Sequence, residues 1–550
     1  MRPCQCGGGP PQAPVATLSR PVPGHCDGGL LLARRSVAGA GSSASGRHLR
    51  EASRWRRWLG ATSTALAASA RAAARRRGRC GRGAQVARSE SADAKDQWFQ
   101  SQAVELQGRR PFNEALSERG LAALEEVLAP ARNQEPWRYT DLQALLYGAR
   151  VPAAEAPSGA ALAAALEPLL EEDLANDSLR LVFVDGALSS ELSRQECGGD
   201  VFVGGGEALR SQRPAILERV EEFLKPLPEM DIFTSSSRDS LGCAKLAALN
   251  QAVFRDCACV CCPGIDEPSA GDSGGELPPS IRVEVVFVTT GAAGACSSPR
   301  VLVDAGRHRR LHVVESHLSL GPEDGALSNG VCRVIVGEGA EVRHELLQQK
   351  AQEARLAETL TAEVAASASY SLLVVQTGAR SGRVNVAVAL TGESSSCEIN
   401  GAMIAGEGQQ LDLHSMIHHI VPSCKSLQRH KNVVAGNAEC IFKGSIKVDK
   451  EAQKTESEQI CRSLLLSKKA KVKAMPSLQI KADEVTCSHG AAVTELDPDQ
   501  VFYLASRGLS PKMARRLMLV AFPQDILGDL KTQSPRAYQR VLDKLAVVAE

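Results

Sequence analysis

Aromatic side chains are scarce in this 550-residue chain: Phe, Tyr and Trp make up 4% of it, and the four Trp all precede residue 140. Enzymes that grip polysaccharides stack sugar faces on aromatic rings, so this composition argues against that class. No window of about 18 uninterrupted apolar residues occurs, which excludes a spanning helix of ordinary length. There is no GxxxxGK[ST] run to cradle phosphates and no HExxH pair to hold a catalytic zinc. No directly bound nucleotide is expected, and any ATP hydrolysis must come from a partner.

Acids and lysines are almost missing from the first 89 residues, which hold 16 Arg, no Lys and only Asp27 and Glu51. Runs such as RAAARRRGRC fit an organelle transit peptide, so residues 1–89 are read as a disordered, removable leader. The remaining chain carries a net charge of about −13. Nonspecific nucleic-acid binding needs Lys and Arg to replace phosphate counterions, and this body is poorly suited to it. Neither a nucleic-acid nor a membrane partner is expected. The 17 Cys are spread along a long chain behind the leader, a pattern of reduced thiols rather than a disulfide framework.

Two or three packed units are expected at this length. Residues 97–150 read as helical, with LAALEEVLAP stopped by Pro130 and EPWRYTDLQALL placing a cap at Thr140 or Asp141. The Ala-rich stretch after it is a connector with a helix, LVFVDGALS a short strand and turn, and PAILERVEEFLKPL and DSLGCAKLAALNQAVF two further helices. After residue 280 the texture is a long series of short β segments without intervening helices. That pattern admits a sandwich, a barrel or a β-helix. The joints GEGAE, TGESS, GEGQQ and AGNAE and a loose coil-like period favour the β-helix. Helices return after residue 496: Asp497 with Pro498 and Ser510 with Pro511 are starts, and Gly508 is a stop. Met513, Leu517 and Val520 form an apolar stripe, read first as packing against the preceding helix and alternatively as a partner surface.

Four groups of residues are candidates for chemistry. Cys487 and His489 lie two apart on an extended segment, so both side chains leave one face. A thiolate and an imidazole suit iron, but two ligands do not close a four-ligand site, and a partner would have to supply the rest. His414, His418 and His419 are read as strand packing or interface hydrogen bonds rather than a zinc site. In CACVCC, Cys257, Cys259 and Cys261 alternate onto one face with Cys262 opposite, which reads as a packed strand, and the PGIDEPSAGDSGGELPP after it as a surface loop. AQKTESEQ offers Lys454, Glu456 and Glu458 but no recognisable glycosidase carboxyl pair.

The segment from Asp412 to Leu509 resembles the shared core of the SufB and SufD families, through IFKGSIKVDKEAQKTESEQICRSLLLS, MPSLQIKADEVTCSHGAAVTELD and VFYLASRG. EPWRYTDLQALL resembles the family's amino-terminal signature, and LNQAVFRD and PRVLVDAG its middle. CSHGAAVTELD is similar to the SufD version. The resemblance implies a mainly β fold, a right-handed parallel β-helix core flanked by N-terminal and C-terminal helical domains. The expected division is 90–230 helical, 231–495 β-helix and 496–550 helical.

The resemblance further implies a noncatalytic scaffold for iron-sulfur cluster biogenesis. It would pair through the β-helix with a SufB-like subunit and dock a SufC-like ATPase through the C-terminal helices, at Phe502, Tyr503, Arg507, Met513 and Leu517. His489, with Cys487, would donate ligands to a transient iron-sulfur cluster or iron shared with SufB. The plastid stroma is the expected compartment, ahead of the mitochondrion, because eukaryotic Suf systems are usually found there. The alternatives are a SufB-type subunit with its own sulfur-accepting cysteine, Cys424 or Cys461, and a polysaccharide-active β-helix enzyme.

Overall fold

A computed structural model describes residues 95–104, 114–147, 159–171, 178–196, 201–213, 241–265, 279–290, 297–321 and 325–549. The leader, the expected helix at 214–227 and most of the loop after Cys262 lie outside them. The described residues fall within one compact unit, Cys80–Glu550. Among them no helix is long and apolar enough to cross a membrane.

The strand series opens with β1 (Leu179–Val184), β2 (Ala187–Leu188), β3 (Phe202–Gly205), β4 (Ala258–Cys262), β5 (Ile281–Thr289) and β6 (Arg300–Ala305). It continues through β7 (Arg310–Ser319), β8 (Leu327–Val336), β9 (Glu341–Gln348), β10 (Arg355–Val364), β11 (Ser369–Gln376) and β12 (Ser381–Leu390). Next come β13 (Ser396–Ala405), β14 (Gln410–His419), β15 (Lys425–Val434) and β16 (Glu439–Val448), and the series closes with β17 (Thr455–Leu465), β18 (Lys471–Ile480) and β19 (Val485–Glu495). β1 and the odd-numbered strands from β5 to β19, with β2 at the edge, form a ten-stranded sheet; β3 and the even-numbered strands from β4 to β18 form a nine-stranded one.

From β4 onward, successive strands alternate between the sheets and every pairing within a sheet is parallel. The chain therefore winds as a parallel β-helix, with register partners about thirty residues apart. Its interior is filled by alternate residues: Val313, Val342, Leu372 and Ile399 from one sheet, Val334, Leu360, Val386 and Leu413 from the other. Period-two apolar patterning makes this possible, because alternate side chains point inward and stack coil upon coil.

The Gly-polar joints are where the coils turn. Gly339, Ser394, Gly408 and Gly436, one in each joint quoted above, take positive φ of 64°, 60°, 74° and 60°. At Gly392 the constraint is steric instead, since a Cβ there would overlap the backbone of Ala366 on the preceding coil. Gly392→Ala is expected to lower stability by about 1–3 kcal/mol, read as a shifted urea midpoint. Gly490→Ala, where a Cβ meets nothing within 4 Å, should leave the midpoint unchanged.

Helices cover the outer faces. Against the second sheet lies the fully buried helix Ala244–Val253, packed on Glu114–Glu126 with Trp137, Leu142 and Leu145. Asn250 donates to the carbonyls of Pro299 (2.8 Å) and Asn329 (2.7 Å), tying this helix to the sheet. Helix Pro535–Val548 lays Tyr538, Val541 and Leu545 on Leu347, Val375, Ile404 and Val433 of the first sheet. The division at residue 231 needs correcting in one respect. β1 and β3 belong to the sheets although they precede it, because the parallel pairing of β1 to β5 and the antiparallel pairing of β3 to β4 bridge the intervening chain.

Candidate functional site at the open end of the solenoid

Cys487 and His489 sit on β19, the last strand of the first sheet, in register with Ser457 and Gln459 of β17. Those two partners are buried, whereas His489 is exposed and Cys487 half-buried, because no further coil covers β19. β18 is likewise the outermost strand of its sheet. The end of the solenoid thus presents two long parallel edge strands with unpaired backbone groups, a surface that invites pairing with another chain.

Among the described cysteines Cys487 alone is not buried. Partial burial still pushes its thiol up, so ligation would need a metal to displace the proton. Cys424 and Cys461 are buried; burial raises both thiols, Cys461 to about 11. An accessible thiolate, which a sulfur acceptor requires, is offered by neither.

The remaining sequence candidates are structural. Cys257, Cys259 and Cys261 pack with Leu116, Phe202 and Leu302 outside the second sheet, while Cys262 joins the interior. His414 Nε2 lies 2.8 Å from the Asp412 carboxylate, His418 bonds Asp449 (2.8 Å) and His419 bonds Ser426 (2.9 Å), so the three imidazoles point to separate partners. Glu456 pairs with Lys425 (3.0 Å) on an exposed face.

Directly after β19 the chain turns into helix Pro498–Ser506, capped by Asp497 accepting from the Asp499 amide (2.9 Å). Helix Pro511–Ala521 follows, capped by Ser510. Its buried positions are Ala514 and Leu519, and Val520 packs inward with them. Met513 and Leu517 instead face solvent, 53% and 50% exposed, as do Phe502 and Tyr503. The stripe read as packing on the preceding helix is therefore divided, with Val520 packed inward and Met513 and Leu517 exposed. Arg507 lies over the Tyr503 ring, 5.2 Å from its centroid. All five residues are exposed, in the two-helix segment that directly follows β19.

One buried network escaped the sequence reading. Arg383 lies 3.8 Å above the Trp137 ring and donates to the carbonyls of Pro136 (2.7 Å) and Leu241 (2.9 Å), to Thr140 (2.8 Å), Asn385 (3.0 Å), Asp412 (3.2 Å) and His414 Nδ1 (3.0 Å). The EPWRYT motif carries three of its partners, so that motif is a socket for a β-helix arginine. Asp141, not Thr140, caps the short helix behind it, accepting from Gln143 and Ala144.

The comparisons with known proteins agree with this architecture. Residues 287–522 match the family described as SUF system FeS cluster assembly, SufBD core domain. Arabidopsis thaliana "Protein ABCI7, chloroplastic" is 29% identical over 405 residues, 72% of this chain and 78% of that protein. The iron-sulfur cluster assembly protein SufD of Escherichia coli is 28% identical over 83% of this chain and 96% of its own length. A SufBD family protein of Synechocystis is 32% identical over 43% of this chain and 54% of its own. With the β-helix and the terminal helices in hand, residues 287–522 are a SufBD core domain, and the chain as a whole is similar to SufD-type iron-sulfur cluster assembly proteins.

Proposed function

We propose that the chain is a noncatalytic scaffold subunit that pairs through its open solenoid end with a SufB-type partner. There His489 and Cys487 contribute ligands to a transient iron-sulfur cluster or iron held between the two subunits. The observation that carries this reading is the coincidence, on one uncovered edge strand, of an exposed imidazole and the least buried of the described thiols. Edge pairing supplies main-chain hydrogen bonds, and the partner completes a ligand set that two residues leave open. The exposed residues Phe502, Tyr503, Arg507, Met513 and Leu517 are the docking surface for a SufC-type ATPase, whose movements would open and close the shared site. Plastid residence is part of the same reading, supported by the Arg-rich leader and by the chloroplastic relative.

Anaerobic reconstitution with SufB-type and SufC-type partners tests it. His489→Ala is expected to leave the complex intact on gel filtration and to remove most of the iron-sulfur absorbance. Wild-type cluster yield from that variant would eliminate the ligand role and leave a structural scaffold.

A further inference from the structure

A second set of metal-ligating side chains lies deep inside the solenoid, remote in sequence from Cys487 and His489. Glu315 and His317 point inward from β7, His344 from β9, Cys332 from β8 and Glu358 from β10, and all five are at most 1% exposed. The ligand atoms of Glu315, His317 and Glu358 lie within 4.8 Å of one another, as do those of Glu315, Cys332 and His344. His317 Nε2 is 2.9 Å from Glu315 and 3.7 Å from Glu358, and His344 Nε2 is 3.3 Å from Glu315. An ion bonded at about 2.0–2.2 Å separates neighbouring ligand atoms by roughly 3.0–3.5 Å, a spacing that these distances bracket.

Two further features point to a ligand rather than to a closed ion-pair network. Neither carboxylate oxygen of Glu358 has a hydrogen-bond partner, nor does Glu315 Oε2. A buried carboxylate left in that state costs several kcal/mol unless a cation or a proton neutralises it. The room for Glu358 is also built in: its register partner is Gly330, where a Cβ would collide with the carboxylate.

We propose that the solenoid interior binds a divalent first-row transition-metal ion, with Glu315, His317 and Glu358 as its ligands. Two carboxylates and an imidazole are a donor set for Fe(II), Zn(II) or Mn(II) rather than for a cluster, which favours thiolates. This site is independent of the open-end reading, since its ligands face the interior many coils away from β19.

Because the ligands are sealed by the coil stack, loading accompanies folding. The test uses the full chain with Cys487→Ala and His489→Ala, so that metal at the open end is not counted. Unfolded with chelator and refolded with Co(II), it is expected to retain on the order of one ion per chain and to show the d–d bands of a bound ion. Adding Glu358→Gln is expected to lower retained Co(II) by about tenfold or more while circular dichroism stays native. Elemental analysis of the chain purified natively from Fe(II)- or Zn(II)-supplemented cells gives the same readout should refolding fail. A folded chain without retained metal by either route, or a Glu358→Gln chain that retains as much as its parent, overturns the proposal.

Discussion

Arg383→Met is expected to lower the stability of the chain by about 3–5 kcal/mol, the range for breaking a buried charge pair from one side. Arg383 has no solvent exposure, and its loss strands the Asp412 carboxylate, itself 1% exposed, with His414 and Thr140 as remaining partners. Present together, the Arg383 guanidinium and His414 hold the Asp412 carboxyl below the usual range against the opposing effect of burial. Methionine fills much of the volume under Trp137 but returns none of the six hydrogen bonds. The measurement is the urea midpoint together with the slope of the transition. A second chain carrying Asp412→Asn as well should recover part of the loss, since the stranded charge goes with it. A single-variant loss below about 1 kcal/mol would mean the network is ornamental to stability.

Acid sensitivity is the second large effect, and His430 isolates it. Its imidazole lies inside the solenoid against Phe442, in space left by Gly401, with no hydrogen-bond partner on either ring nitrogen. Burial lowers its pKa to about 3. The unfolded chain binds a proton near pH 6.5 that the folded chain refuses until about pH 3. The folded state therefore binds fewer protons in that window, and stability falls as pH drops from 6.5 toward 3 by about 1.4 kcal/mol per unit for this one group. His430→Leu removes the term. The two stability curves should run parallel above pH 6.5 and diverge below it, with the variant the more stable. His414 and His419, each lowered to about 4 by burial, act in the same direction, and the raised acids Glu284 and Glu358 act oppositely. All four are present in both chains and cancel in the difference. Parallel curves down to pH 4 would show that His430 protonates within the fold.

The sequence made the coils legible because their grammar is local. Alternation assigns Cys257, Cys259 and Cys261 to one face and Cys262 to the other, and each quoted Gly-polar joint holds a residue with positive φ. Helix starts at Asp497 and Ser510 were readable for the same reason, since a cap and its amide lie two or three residues apart. What could not be read is whatever depends on coil stacking. Arg383 and Pro136 meet across 247 positions, and no spacing rule links Glu315 to Glu358 on different sheets. At the open end, the residue types Cys487 and His489 were visible, but their uncovered position was not; that follows from β19 being the last strand.

The two termini of the coil stack differ in kind, and this bears on how large an assembly the chain permits. At one, β2 and β3 run antiparallel to their neighbours β1 and β4 and break the parallel repeat, while at the other β18 and β19 leave it uninterrupted. In the language of polymer growth the molecule is monofunctional: one reactive end and one stopper. If the open end pairs as proposed, two such bodies joined there consume both uninterrupted parallel faces, and the antiparallel end offers a third body no matching repeat. Under that pairing, the same asymmetry that uncovers His489 would favour a pair over a longer stack along the solenoid axis.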